Sequence, residues 1–220
     1  MKKTFFALIA CSVLLCACTT TKNDDGIKEI DETAVEDSAH GEMSQEAVDV
    51  SGVEDPNLKG FLDGSISFID EASGKEATIF TLPEINGDYH ERMNRYCSVD
   101  LDGDGVLEYL FEDSHTGNTA VLHKEGDTWR AYMMVFRARL NLKTDGEMSW
   151  SGGAALNGTA RVEFSDGQMH QKILLDSDSD NNVHSMLGEE ISYDEAMRVW
   201  RKFDKKKNAE WYDIYPAFEF

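Results

Sequence analysis

The fold is decided by residues 96–142, which read YCSVDLDGDGVLEYLFEDSHTGNTAVLHKEGDTWRAYMMVFRARLNL. Apolar, β-branched and aromatic residues gather at 96–99, 107–112, 120–123 and 129–142, and residues typical of turns separate them, such as Glu125-Gly126-Asp127. Short runs of this kind between Gly- and Asp-rich turns are typical of β-hairpins. The stretch therefore predicts consecutive antiparallel strands.

The same pattern continues on both sides of this stretch. Further runs with strand character lie at 61–69, 78–82, 160–164 and 169–175. Turn pairs punctuate them, including Asp63-Gly64, Asn86-Gly87 and Asp166-Gly167. The region from residue 58 to 220 is long enough for one globular domain with its own core. It predicts a β-sheet meander.

The chain near its end changes from strand to helix periodicity. Ser192-Tyr193-Asp194-Glu195 has the Ser-x-x-Glu form of a capping box, and the apolar residues that follow recur at helical spacing: Ala196, Val199, Trp200 and Phe203. Lys205, Lys206 and Lys207 close this stretch, where positive charge suits the helix end. The predicted class is α+β, mainly an antiparallel β-sheet meander with a C-terminal helix packed on it.

One loop carries a metal-binding pattern. Counted from Asp100, carboxylates stand at positions 1, 3, 5 and 9, which are Asp100, Asp102, Asp104 and Glu108, and Gly105 stands at position 6. Calcium takes six to eight oxygen ligands, and alternating acids around a tight glycine turn supply them. Val106 at position 7 would add its backbone carbonyl. We therefore predict a structural calcium ion in this loop.

The flanking sequence distinguishes between two kinds of calcium loop. An EF-hand requires an acid at position 12, which here is Phe111, and a helix rather than the strand pattern that follows. The segment instead resembles the Asp-x-Asp-x-Asp-Gly-x-x-Asp loops of FG-GAP, VCBS and integrin α-type repeats, with Glu108 in place of the last Asp. The resemblance implies a structural calcium site. Because the loop occurs once, it does not imply a propeller.

The N-terminus has the three parts of an export signal. Lys2 and Lys3 precede an apolar stretch that is too short to span a bilayer and ends at Leu15-Cys16-Ala17-Cys18. These four residues resemble the lipobox of bacterial lipoproteins, and Leu8-Ile9-Ala10-Cys11 fits the same letters after a shorter apolar stretch. The resemblance implies a signal peptide at 1–17 and a palmitate-type lipid anchor on Cys18. The protein would then be extracytoplasmic, on a membrane of the cell envelope.

Residues 18–57 differ from the rest in composition. From residue 19 to 57 there are 12 acids, two lysines and no aromatic residue, a composition typical of a disordered tether. Without residues 1–17, which contain Lys2 and Lys3 and no acid, the chain has 19 Lys+Arg and 42 Asp+Glu, a formal net charge of −23. Such a surface repels nucleic acid and attracts cations.

Enzyme motifs are not found in the sequence. It contains no Gly-x-Ser-x-Gly elbow and no phosphate-binding glycine loop, and His90-Glu91-Arg92-Met93-Asn94 lacks the second histidine of a zinc helix. Cys97 is the one cysteine beyond Cys18 and reads as a buried apolar residue. A second acidic run, at 176–181, begins like the first loop but has His184 at its ninth position, which favours a solvated turn.

Trp150 stands in an unusual glycine-rich segment, 150–158, where it could either pack in the core or form part of a recognition surface. Trp129 reads more readily as core. Together these features predict a membrane-anchored, non-enzymatic module that binds an unknown envelope protein or glycan, or serves as an accessory of an envelope complex. The alternative is an extracytoplasmic hydrolase of glycan or peptide. Glycoside hydrolysis uses two carboxylates that the fold brings together, so the sequence alone does not show such a pair.

Overall fold

A computed structural model describes residues 50–82, 93–135 and 137–215, all within one unit that extends from Gln45 to Phe220. The signal peptide, Cys18 and most of the predicted tether lie outside these residues. The helices and strands in chain order are α1 (Pro56–Leu62), β1 (Phe68–Asp70), β2 (Lys75–Ala77), β3 (Arg95–Val99), β4 (Glu108–Glu112), β5 (Thr119–Glu125), β6 (Thr128–Met134), β7 (Met148–Ser151), β8 (Leu156–Ser165), β9 (Gln168–Asp178), β10 (Val183–Met186), β11 (Glu189–Glu190), α2 (Tyr193–Asp204) and β12 (Tyr212–Asp213).

The strands form two sheets. One has seven strands in the order β12-β3-β4-β5-β6-β1-β2, and the other has five in the order β11-β10-β9-β8-β7. All neighbours are antiparallel except β1 and β6, which pair in parallel through Ile69 and Arg130. Both sheets therefore consist mainly of meanders, and the predicted α+β class is confirmed.

The seven-stranded sheet buries both of its faces because successive residues of its central strands β4 and β5 are buried. Tyr109 and Phe111 of β4 belong to one buried cluster, which also contains Phe61 of α1. Leu110, between them in sequence, belongs to a second cluster together with residues of the five-stranded sheet, such as Val162. A strand buried on both faces reads as a continuous apolar run, as Tyr109-Leu110-Phe111 does.

The segment 61–69, predicted as a strand, is instead the end of a helix, a turn and the start of a strand. Asp55 caps α1 by accepting hydrogen bonds from the N–H groups of Asn57 and Leu58, at 2.9 and 3.2 Å, and Pro56 suits the first turn. Phe61 has no exposed surface, and its ring meets those of four other aromatic residues, Phe68, Tyr109, Phe111 and Trp129. Tertiary packing thus outweighs the local strand propensity.

Residues 78–82 were also predicted as a strand and form a turn. Thr78 and Thr81 hold it: the N–H of Thr81 donates to the carbonyl of Thr78 at 3.0 Å, and the N–H of Thr78 donates to Oγ1 of Thr81 at 2.9 Å. Hydrogen bonds from threonine hydroxyls to nearby backbone compete with a strand ladder. The predicted strand at 129–142 likewise ends early, at Met134, and Arg137 and Asn141 adopt positive φ angles of 73° and 44°.

The predicted C-terminal helix is present as α2 and packs on β9 and β10. Its capping box is formed: Glu195 N–H donates to Oγ of Ser192 at 3.3 Å, and Ser192 N–H donates to Oε2 of Glu195 at 3.0 Å. Phe203 and Ala196 are its buried residues. Lys206, just after the helix, forms ion pairs with Asp145 and Glu147, so it does more than complement the helix end.

At the N-terminal side, packing reaches further back than residue 58. Val50 and Val53 contact the cluster around Phe61, within the segment that composition assigns to the tether. Neither helix in the described part of the chain is long and apolar enough to cross a membrane.

Candidate metal centre

The acidic loop joins β3 to β4 at one edge of a buried hairpin. Val99 pairs with Glu108 across the two strands, so residues 100–107 form the connection. Gly103 and Gly105 have φ angles of +86° and +89°, a conformation that other residues rarely adopt. Leu101 has no exposed surface and packs in the second cluster. A buried leucine thus anchors a loop whose acidic residues are more exposed.

Backbone N–H groups orient the three aspartates. Asp100 accepts from Gly103 at 2.7 Å and from Gly105 at 3.0 Å, one bond to each of its carboxylate oxygens. Asp102 accepts from the N–H of Asp104 at 3.1 Å, and Asp104 from that of Val106 at 2.7 Å. These bonds hold the side chains close to the loop backbone and leave oxygen lone pairs for a further ligand.

Three of the four carboxylates predicted as ligands come together in one group, and the fourth, that of Glu108, lies near only one of them, Asp102. Oxygens of Asp100, Asp102 and Asp104 lie within 4.8 Å of one another. Asp102 also lies within the same distance of Glu108 and His123. Asp102 therefore joins two groups of possible ligands. Val106 lies in the same loop and is half exposed.

Glu108 has no exposed surface. Its Oε2 accepts from the N–H of Leu101 at 2.8 Å, and its Oε1 lies 3.0 Å from Nδ1 of His123. Burial raises the pKa of Glu108 and the nearby Asp102 carboxylate raises it further, while the bonds to His123 and Leu101 oppose this. The buried negative charge is therefore only partly compensated by the protein groups around it.

His123 did not emerge from the sequence as a candidate. It stands on β5, which is antiparallel to β4. Since Tyr109 pairs with Leu122, the residue before Tyr109, which is Glu108, lies opposite the residue after Leu122, which is His123. Its ring stacks on Phe164 of β8, with the centroids 3.7 Å apart. The register of the β4–β5 hairpin is the signal that would have found it, because cross-strand partners follow from the turn at 113–118.

Gly146 fixes the loop from outside. A Cβ atom at this position would lie 2.5 Å from the carbonyl oxygen of Asp100 and 2.6 Å from that of Leu101. Gly146 also has a positive φ of 78°. The turn before β7 therefore packs directly against the backbone at the start of the acidic loop. Its neighbour Asp145 pairs with Lys206.

The second acidic run, 176–181, forms the end of β9 and the turn of a hairpin with β10. Asp178 accepts from the N–H groups of Asp180 and Asn181, at 3.1 and 3.2 Å. In the turn that follows, Asn182 takes a positive φ of 51°. Among the residues that the structure describes, this run contributes to none of the groups that could hold a metal ion.

A hydroxyl and an imidazole meet behind that turn. Oγ of Ser177 lies 2.6 Å from Nδ1 of His184, and both residues are buried, 8 % and 5 % exposed. The His184 ring also meets that of Tyr193 at the start of α2. A catalytic serine must be accessible to its substrate, and this hydroxyl is buried. We therefore interpret the Ser177–His184 hydrogen bond as a structural contact beneath α2.

Trp150 lies in β7 rather than in a loop. It is partly buried against the cluster between the two sheets, and the glycine opposite it on β8, Gly158, makes room for its indole. A Cβ at position 158 would lie 2.7 Å from Nε1 of Trp150 and closer still to the carbonyl oxygen of Leu175 on β9. Nε1 itself is buried without a hydrogen-bond partner in the described part of the chain. Trp129 is 8 % exposed and packs in the core.

The donor chemistry of the acidic loop fits a hard divalent cation. Three aspartates and Glu108 offer carboxylate oxygens, which calcium prefers, in a loop shaped by two glycines. The second group, in which His123 joins Asp102 and Glu108, mixes oxygen with nitrogen and would also suit a transition metal. The two ion classes thus differ in whether His123 contributes.

No protein family, no curated protein and no solved structure matches this chain.

Proposed function

We propose that this protein is a bacterial lipoprotein whose extracytoplasmic domain holds a structural calcium ion and serves as a non-enzymatic binding module. The chain would be cut before Cys18, anchored to an envelope membrane by lipid on that residue, and held away from the membrane by the acidic segment that follows. Its ligand would be an envelope protein or a glycan.

The calcium assignment rests on the convergence of Asp100, Asp102 and Asp104 within 4.8 Å. Three ionised carboxylates at this spacing repel one another, and a bound cation removes that repulsion. Glu108 adds a fourth negative charge, buried and adjacent to Asp102. Calcium would therefore stabilise the β3–β4 connection and, through Leu101, the core beneath it.

The test is thermal unfolding in a chelator and in calcium. Extracellular modules bind calcium with dissociation constants near 10⁻⁴ to 10⁻³ M, and about 2 mM calcium on a 10⁻⁴ M site contributes about 1.8 kcal/mol. For a domain of this size we expect the melting temperature to rise by about 4 to 7 °C. Asp104→Asn should abolish the rise. An unchanged melting temperature in metal-free, folded protein would contradict the assignment.

Two control variants separate calcium from its alternatives. Asp178 accepts backbone hydrogen bonds in an exposed turn much as Asp104 does, so Asp178→Asn controls for the loss of such a turn and should keep the calcium response. His123→Gln should also keep it, because calcium prefers oxygen ligands. Loss of the response in His123→Gln, together with a larger stabilisation by zinc or manganese, would point to a transition-metal site instead.

The anchor assignment rests on Leu15-Cys16-Ala17-Cys18 and the basic start of the chain. Cells that express the wild type should incorporate labelled palmitate into the protein, and Cys18→Ala should not. Cys11→Ala is the matched control, since Cys11 ends the other stretch that fits the lipobox. Equal labelling of the wild type and Cys18→Ala would contradict the proposal.

A further inference from the structure

A groove of about 660 Å³ lies beside the acidic loop, along the outer side of β3. This is the volume range in which proteins bind small ligands or a few residues of a peptide. Four parts of the chain line it: the segment before α1 with the start of that helix, β3 with the acidic loop, Thr144, and the stretch from residue 207 to 212. Asp100 and Leu107 belong to both the loop and the groove wall.

The floor of the groove is a free strand edge. β12 pairs with β3 only at Arg95 and Tyr96. The chain before β12 turns away to pair elsewhere: Thr144 N–H donates to the carbonyl of Lys207 at 3.0 Å, and Ala209 N–H to that of Leu142 at 2.8 Å. In the described part of the chain, β3 from residue 97 to 99 therefore has no strand on this side.

A free edge of this kind is a template for another strand. Its backbone groups can pair with an extended segment, and natural proteins usually guard such edges with charge, proline or a covering loop. Ser98 lies in the middle of the unpaired stretch and is exposed. A small side chain at this position leaves room for a partner strand to approach.

The charges around the groove select the kind of segment that fits. Four acidic residues line it, Glu54, Asp55, Asp100 and Glu210, against one basic residue, Lys207. Tyr96 and Tyr212 stack at one end, with their rings 5.5 Å apart, and the faces of such rings attract cations. Acidic peptide segments would be repelled.

We propose that this groove binds an extended peptide segment rich in lysine or arginine, which adds to β3 beside Ser98 as an extra strand. The inference deepens the binding role proposed above and rests on it, but it needs neither the lipid anchor nor the metal. If calcium occupies the loop, it engages Asp100 and leaves Glu54 and Glu210 in the groove wall.

The experiment measures binding of short fluorescent peptides to the full chain in detergent micelles, in chelator and in calcium. One peptide alternates lysine with valine, and its counterparts carry glutamate or serine in place of lysine. At about 0.15 M salt, where long-range attraction is screened, the lysine peptide should bind at least about tenfold more tightly than the serine peptide. The glutamate peptide should not bind.

Variants locate the site. Ser98→Tyr fills the groove without changing charge and should abolish binding, while Ser165→Tyr changes an exposed serine on β8 and should have no effect. Glu210→Lys should weaken the lysine peptide by about fivefold or more, and Glu190→Lys, on exposed β11, should do so much less. Each variant is first shown to melt as the wild type does.

Four outcomes would overturn the inference. Equal binding to wild type and Ser98→Tyr would mean attraction to the acidic surface in general. Equal binding of serine and lysine peptides would remove the charge selectivity, and full competition by spermidine would indicate a cation site without strand addition. Self-association that Ser98→Tyr removes would assign the groove to a second copy. The calcium response and palmitate labelling test the proposed function separately from all four.

Discussion

Glu108 lies on a strand that is buried on both faces, and its carboxylate has no exposed surface. Because burial and Asp102 raise its pKa, the folded protein holds this proton more tightly than the unfolded chain does. Without metal, its contribution to stability is therefore fully present below the unfolded value of about 4.5 and is lost as pH rises through the folded value. A cation in the loop would favour the ionised Glu108 and so offset this loss of stability at higher pH.

The first prediction is that Glu108→Gln stabilises the calcium-free protein. The amide oxygen can still accept from Leu101, and the buried charge is gone. In chelator at pH 8 the variant should melt above the wild type, and the difference should shrink as the pH falls towards 4.5. In calcium the order should reverse, because the variant has lost a ligand. A variant that melts below the wild type in chelator at pH 8 would contradict the claim that the buried Glu108 charge is only partly compensated.

The second prediction compares two glycines of similar backbone geometry. Gly146 and Gly126 both have positive φ, 78° and 61°, but only at Gly146 would a Cβ meet other backbone, that of Asp100 and Leu101. Both alanine variants should lose about 1–2 kcal/mol to backbone strain. Gly146→Ala should lose about 1–3 kcal/mol more and show a smaller calcium response. Equal losses in urea unfolding would show that the contact with the acidic loop is unimportant.

At the scale of the elements, α1 depends on one side chain outside it. Asp55 caps the helix with Oδ1 and accepts from the Tyr109 hydroxyl with Oδ2, at 2.7 Å. Burial, followed by this bond, raises the pKa of Tyr109 to about 12. The cap therefore also ties the seven-residue helix to β4. A helix this short is not stable alone in water, so it depends on such tertiary contacts.

The third prediction is that Asp55→Ala destabilises the fold. Loss of the cap costs about 0.5–2 kcal/mol, and loss of the buried hydroxyl's partner about 1 kcal/mol more. Asp63→Ala is the control, because Asp63 ends the same helix and accepts only an exposed bond from Ser65. It should change the free energy of unfolding by less than about 0.5 kcal/mol. Equal effects of the two variants would show that the cap carries no special weight.

At the scale of the whole molecule, the fourth prediction concerns where the folded domain begins. A chain that starts at residue 45 should melt within about 2 °C of one that starts at residue 19. A chain that starts at residue 58 lacks the Asp55 cap and the packing of Val50 and Val53, together about 2–4 kcal/mol, and should melt about 5 to 15 °C lower. Equal melting of all three chains would place the boundary at residue 57, as composition alone suggests.

The sequence by itself determined the α+β class, the meander and the capped C-terminal helix. Those features rest on local signals: alternating or continuous apolar runs, turn glycines, and Ser192 three residues before Glu195. It also predicted which aspartates form the acidic loop, because their spacing and the intervening glycines shape the backbone within a few residues. Where local preference and global fold agree, sequence patterns suffice.

Only the tertiary structure decided the features that join distant parts of the chain. Phe61 follows a strand-like pattern but lies in the last turn of a helix, because four aromatic rings from β1, β4 and β6 surround it. His123 reaches Glu108 through hairpin register, and the groove exists because residues 207–209 pair with 142–144 instead of β3. Such contacts gain their energy from burial and pairing across long sequence separations, which no short window of sequence records.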